Sequence, residues 1–236
     1  MPTLSQRSQD IEIMDDLQCA GEVVDQTLRE LEIINRLLGG NYVTISGVKV
    51  LLKNWSSAEV ITVADLGCGG GDILKLVAQW GREHNLRMQL TGIDANPNII
   101  AFARSHSEKF PEINYQPLNI LSEEFRTKKF DLILATLFTH HFTEQELVSV
   151  LRSLHHQTQI GIVINDIHRH WFAFRSICIL TRLFSKSKMV KYDAPLSVLR
   201  SFKKVELQSI LHQAGIKNYQ LKWKWAFRWQ LIIPTV

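Results

Sequence analysis

The stretch Asp65-Leu66-Gly67-Cys68-Gly69-Gly70-Gly71-Asp72 constrains this chain's fold more than any other feature. It lies between a continuous apolar run, VITVADLG (60–67), and a helical pattern, DILKLVAQW. A glycine-rich turn from strand to helix lets a ligand approach the backbone with no Cβ in the way. Four further strand-like runs follow: MQLTGIDA (88–95), INYQPLNI (113–120), FDLILATLF (130–138) and QIGIVIND (159–166). Helical patterns separate most of them, notably a Pro97-initiated helix and EQELVSVLRSLHH from Glu144. Apolar strands alternating with amphipathic helices predict an α/β fold whose parallel sheet is covered on both faces. At 236 residues and 45% apolar, the chain suffices for one domain with a modest appendage.

That appendage is expected at the N-terminus. Apolar residues recur at three- and four-residue steps over 10–38, which predicts a short helix, a break at Gly21, and a longer helix closed by Gly39-Gly40. Residues 1–57 are therefore read as a helical cap or lid and 58–236 as the main domain. A helical insertion occupies about 168–200. FKKVELQSILHQAG then gives a helix stopped by Gly215, and YQLKWKWAFRWQLII gives late strands that pair antiparallel.

The charges around the loop favour one kind of ligand. Asp72 replaces the third glycine of a dinucleotide fingerprint and stands where a pyrophosphate would bind the helix N-terminus. Asp65 adds a second negative charge, so the site suits a ligand carrying an ammonium and a sulfonium. Asp94 ends the second strand, where a carboxylate can accept hydrogen bonds from both hydroxyls of a ribose.

VADLGCGGGD and IDANP together resemble the first two motifs of the class I S-adenosylmethionine-dependent methyltransferases. The resemblance runs motif by motif over about 58–166 and extends to the closing helix and strand pair. It implies a Rossmann-like seven-stranded, mostly parallel sheet with an antiparallel last strand, and S-adenosylmethionine as cofactor. It places Asp65, Gly67, Gly69, Gly71 and Asp94 around that cofactor, with Cys68, Ala95 and Thr136 beside them. Asn119 stands where many members hold the adenine amino group with an Asp, and Ile120 is placed to pack on the ring.

Proton-handling candidates cluster after the fourth and fifth strands, at the edge where open α/β sheets bind ligands. They are His140 and His141 in TLFTHHF, and Asp166 and His168 in NDIHRH. Asp166 and His168 could form a dyad or simply anchor the insertion. His141 and His168 are the expected bases, and His140 is expected to border the substrate. Trp171, Phe172 and Arg175 begin an apolar block that either roofs a hydrophobic pocket or packs into the core. No metal-ligand spacing is evident, and no metal is expected.

The charge is uneven. Of 27 Lys and Arg, 13 follow Ile167, against only Asp193 and Glu206. Four of the six Trp lie in the same segment. Such a tail could meet an RNA or protein substrate, or make weak peripheral contact with a membrane. No NPPY, DPPY or Pro-Cys motif accompanies it, which argues against nucleic acid. The favoured reading is a methyltransferase acting on a small, largely apolar acceptor (aromatic, polyketide-like or quinone-like) at oxygen. A non-catalytic binding module is the alternative from another class. Three scattered cysteines and no leader-like N-terminus suggest a cytoplasmic setting.

Overall fold

The run before the glycine loop is the central strand. In Ile61–Leu66 (β1), Ile61, Val63, Ala64 and Leu66 have no solvent exposure, because the sheet is covered on both faces. The computed structural model describes residues 3–53, 55 and 59–235, so the expected boundary between 57 and 58 falls outside the described residues. A short 3₁₀ turn at Ile13–Asp15 precedes helices Glu22–Leu37 (α1) and Gly40–Leu51 (α2). After β1 come Asp72–Glu83 (α3), Met88–Asp94 (β2), Pro97–Ser105 (α4), Ile113–Pro117 (β3) and Glu123–Arg126 (α5). Phe130–Thr136 (β4), Glu144–Gln157 (α6) and Thr158–Ile167 (β5) follow. Trp171–Phe184 (α7), Lys188–Arg200 (α8), Lys204–Gln213 (α9), Gln220–Lys224 (β6) and Arg228–Pro234 (β7) complete the chain.

The seven strands are ordered β3-β2-β1-β4-β5-β7-β6. All pairs are parallel except those of β7, which runs antiparallel to both β5 and β6. Strand order reverses between β1 and β4, so the loops after these two strands diverge and leave a crevice at the carboxyl edge. Alternate strand residues feed two cores. Ala64, Leu66, Ile133 and Ile164 pack with Leu147 and Leu151 of α6 and Ile210 of α9. Ile61, Val63, Leu132 and Val163 pack on the other face with Val48 of α2 and Leu74 and Val77 of α3.

The N-terminal region departs from expectation in one respect. Gly39 takes the left-handed conformation expected of a helix stop, but Gly40 starts a second helix at once. The sequence of α2, GNYVTISGVKVL, has two glycines and several β-branched residues and so has little intrinsic helical preference. Packing decides instead: a Cβ on Gly47 would lie 2.5 Å from Val163 Cγ1, so the glycine lets α2 settle directly on β5.

The insertion is two helices rather than one. Ser187 accepts from the Val190 amide to cap α8, while Glu30 from α1 accepts from the Lys186 and Ser187 amides and pins the break.

Candidate functional site

The glycine loop adopts the backbone its composition allows. Gly67, Gly69 and Gly71 all have positive φ, and a Cβ on Gly67 would sit 2.2 Å from the Phe138 ring. Phe138 reaches this position because Leu137, just past β4, is itself left-handed, and its amide is tied to the Asn165 carbonyl at 2.8 Å. That turn also aims the next residues, Thr139, His140 and His141, into the crevice. A cavity of about 510 Å³ opens there, bordered by the glycine loop, the ends of β2 and β4, α1, α8 and the N-terminal segment.

Its deep end is acidic. Asp65 is 2% exposed, and its Oδ1 is buried without a hydrogen-bond partner. Burial pushes its carboxyl well above the usual range, and Asp72 and Asp94 push it further. Burial also raises Asp94, although the Asn96 amide donates to its Oδ1 at 3.0 Å. Among its described neighbours, Asp72 is neutralised by Lys75 at 2.7 Å. The site therefore lacks positive charge, a deficit that an ammonium and a sulfonium would fill and a pyrophosphate would worsen.

Cys68, Ala95, Asn119, Ile120 and Thr136 line the same cavity, whereas Gly71 stands just behind it as the cap of α3. Asn119 Oδ1 accepts from the Leu121 amide at 2.9 Å, which fixes the side chain. Thr136 Oγ1 shares a hydrogen bond with Thr44 Oγ1 at 2.8 Å.

The other end is built from imidazoles and carboxylates. Asp166, fully buried at the end of β5, takes His140 as its partner, not His168. His140 Nδ1 lies 2.7 Å from Asp166 Oδ1, and Asp166 Oδ2 accepts from Thr139 Oγ1 and the His140 amide. On its far side, His140 Nε2 faces Glu12 Oε1 at 3.5 Å. Burial alone would lower the His140 pKa, yet Asp166 and Glu12 push it up to about 10. Burial likewise opposes ionisation of Asp166, and His140 outweighs it, holding the carboxyl below its usual range. At neutral pH His140 is thus an imidazolium clasped between two carboxylates.

His141 has its own partner. Its Nδ1 lies 2.6 Å from Asp15 Oδ1, while Asp15 Oδ2 receives Arg200 Nη1 at 2.6 Å. Burial would raise the Asp15 carboxyl, but His141 and Arg200 hold it well down. Glu12, His140 and His141 place donor atoms within 4.8 Å of one another, a grouping the sequence reading did not anticipate. The chain supplies the positive charge there itself, through His140 and through Arg200 Nε, 3.8 Å from Glu12.

The N-terminal residues reach this place by a series of anchors. Arg7 donates to the carbonyls of Arg200, His140 and Phe142. Asp193 accepts from the Ile13 and Met14 amides at 2.8 and 3.1 Å, and Ser197 donates to Glu12 at 2.9 Å. Sequence reasoning missed Arg7, Glu12, Asp15 and Arg200, because the groups they meet at the site lie 59 or more residues away in the chain. One usable signal was Asp193, an isolated acid in a basic segment.

Other expected residues lie elsewhere. His168 packs 4.8 Å from the Trp229 ring, and its amide donates to the Phe227 carbonyl. Burial and the neighbouring His170 and Arg169 lower its pKa. Trp171, Phe172 and Arg175 are exposed on α7 and do not border the cavity. The insertion contributes Asp193, Ala194 and Ser197 of α8 instead. The apolar part of the cavity wall comes from Met14, Leu17, Leu28 and Leu31, together with Phe138 and Phe142.

A doubly wound sheet with β7 inserted antiparallel, and an acidic glycine loop after β1, defines the class I methyltransferase fold. Residues 63–161 match the family model described as a methyltransferase domain. Over this stretch the chain resembles the class I S-adenosylmethionine-dependent methyltransferases. A ubiquinone biosynthesis O-methyltransferase of Methylobacterium sp. (strain 4-46) is 31% identical over 85 residues, 36% of this chain and 32% of that protein. An uncharacterized methyltransferase of Synechocystis sp. is 27% identical over 139 residues, 56% of this chain and 60% of that protein. The matches thus span less than two thirds of either relative. Among solved structures, the plantazolicin methyltransferase BpumL in complex with SAH superposes with a TM-score of 0.65 at 15% identity, covering 89% of each chain. Human N-acetylserotonin methyltransferase in complex with SAM gives 0.63 at 16% identity, over 89% of this chain and 55% of that one. At such identities the likeness concerns the fold.

Proposed function

We propose that this protein transfers a methyl group from S-adenosylmethionine to a hydroxyl of a small, largely apolar acceptor of aromatic, polyketide-like or quinone-like type. The observation that carries this reading is the polarity of one cavity, which has the buried, unpartnered Asp65 carboxyl beside Asp94 at one end, imidazoles at the other and apolar side chains along its wall. S-adenosylmethionine supplies the activated methyl group when bound. Asp65, Asp94, Asn119 and the glycine loop are the residues that would hold it, Asp94 through the ribose hydroxyls. The Methylobacterium relative is a ubiquinone biosynthesis O-methyltransferase, which supports an aromatic oxygen acceptor.

The two adjacent imidazoles divide the remaining work. His140 is already protonated at neutral pH, so it stabilises negative charge and accepts no proton. His141 is the base. Its Nδ1 faces Asp15 Oδ1 at 2.6 Å, so Nε2 is the ring nitrogen left to meet an acceptor. An unactivated phenol is mostly protonated at neutral pH and gains most from such a base. Asp166 acts through His140 as a positioning residue.

The test is an incubation of the full chain with S-adenosylmethionine and a panel of phenols, quinols and alkylated polyketide analogues. Both S-adenosylhomocysteine and the methylated product are followed by mass spectrometry. O-methylated product is expected; methylation at carbon would overturn the choice of oxygen. Asp94→Ala is expected to raise the S-adenosylmethionine dissociation constant at least about tenfold, as for a lost charge-assisted hydrogen bond. Calorimetric titration measures it, and unchanged affinity in a folded variant would remove Asp94 from the ribose site.

A further inference from the structure

The most conspicuous surface outside the cavity lies on α7 and the β6–β7 hairpin. Trp171, Ile179 and Leu183 are 60%, 58% and 68% exposed along one face of α7. Phe172, on the same face, lies 5.8 Å from the Phe227 ring, and Trp223 lies 5.9 Å from Phe227 on its other side. Helix and hairpin thus share one continuous aromatic surface. Trp225 projects from the hairpin turn and is 75% exposed, and the left-handed Ala226 and Phe227 hold that turn in place. Monomeric proteins rarely expose so many large apolar side chains together without a partner.

The charge around this surface has one sign. Arg182, Lys186 and Lys188 lie along and just beyond α7, and Lys222 and Lys224 flank the hairpin aromatics. Both acids of the segment after Ile167 are engaged internally. Asp193 is buried under the Ile13 and Met14 amides, and Glu206 is paired with Arg169. Glu30, which reaches the end of α7 from α1, is taken up by Ser185 and the Lys186 and Ser187 amides. Tryptophans ringed by Arg182, Lys186, Lys188, Lys222 and Lys224 fit the headgroup layer of an anionic bilayer, where the rings enter the interface and the cations meet lipid phosphates.

We propose that α7 and the β6–β7 hairpin form a docking surface for an anionic lipid bilayer. Because β6 runs parallel to β5, the hairpin turn lies at the same carboxyl edge of the sheet as the cavity. Docking there turns the cavity edge towards the membrane. The binding itself does not depend on which acceptor is methylated. Among the described residues no helix is long and apolar enough to cross a membrane, so the contact is peripheral.

Sedimentation of the full chain with phosphatidylcholine vesicles, with and without phosphatidylglycerol, tests this. Binding to the phosphatidylglycerol vesicles is expected, with little to phosphatidylcholine alone. Raised salt should weaken it, since each basic residue at an anionic surface strengthens binding on the order of fivefold. Brominated lipids should quench the tryptophan fluorescence. A Trp171→Ser, Ile179→Ser, Leu183→Ser variant changes only exposed positions; it should keep its circular dichroism and lose about tenfold or more in partitioning. Lys222→Glu, Lys224→Glu should lose binding to the anionic vesicles by a similar factor. No partitioning of the wild-type chain at low salt would overturn the proposal. So would partitioning indifferent to both variants, RNA binding without vesicle binding, or self-association abolished by the serine substitutions without vesicle binding.

Discussion

His141→Ala is expected to lower the rate of methyl transfer by about 10²- to 10⁴-fold, the usual contribution of a positioned base. The affinity for S-adenosylmethionine should stay within a factor of about three, since the carboxylates that hold it are at the other end of the cavity. Asp15→Asn should give a smaller loss of the same kind, because the ring survives but its tautomer and orientation are no longer fixed. Single-turnover kinetics on the identified acceptor, with calorimetry for the cofactor, separate the two effects. If kcat for His141→Ala remains within about tenfold of wild type, His141 is not the base.

Asp166→Asn is expected to act on stability first. Asp166 is fully buried and compensates a protonated His140, so neutralising it leaves a buried cation short of a partner. Breaking a buried pair from one side costs about 3–5 kcal/mol, which for a domain of this size lowers Tm by about 10 °C. The pH dependence gives a second readout. The folded His140 pKa of about 10 lies above the ordinary value of 6.5, so its contribution is complete below pH 6.5 and is lost as pH rises through 10. Wild-type stability should therefore fall between about pH 7 and 10, and Asp166→Asn should flatten that fall. Denaturant titrations across this range check it, and an unchanged slope in the variant would mean that His140 is not held protonated by Asp166.

The sheet and the cofactor end were legible in the sequence for a physical reason. Strands buried on both faces must be continuous apolar runs, and the loop after β1 needs glycine wherever φ is positive, as at Gly67, Gly69 and Gly71. Both signals are local. The imidazole end is assembled from residues far apart in the chain, and no short window contains it. Asp166 and His168, two residues apart, suggested a dyad. Residues two apart in an extended strand share a face, but the turn after β4 delivers His140 to Asp166, and His168 packs against Trp229 instead. Glu12 and Asp15 fall among the apolar positions of the stretch expected to form the first short helix, and each faces an imidazole. The apolar start of α7 pointed towards a pocket roof, whereas its exposed face turns outwards and α8 borders the cavity.

The anchoring of the N-terminal segment also has a consequence for biosynthesis. Arg7, Glu12 and Asp15 are made well before three of the groups that seat this segment, Asp193, Ser197 and Arg200. During translation the anchoring of the N-terminal segment cannot be completed until α8 has been made. A chain stalled before α8 would therefore hold a glycine loop without a finished acceptor end.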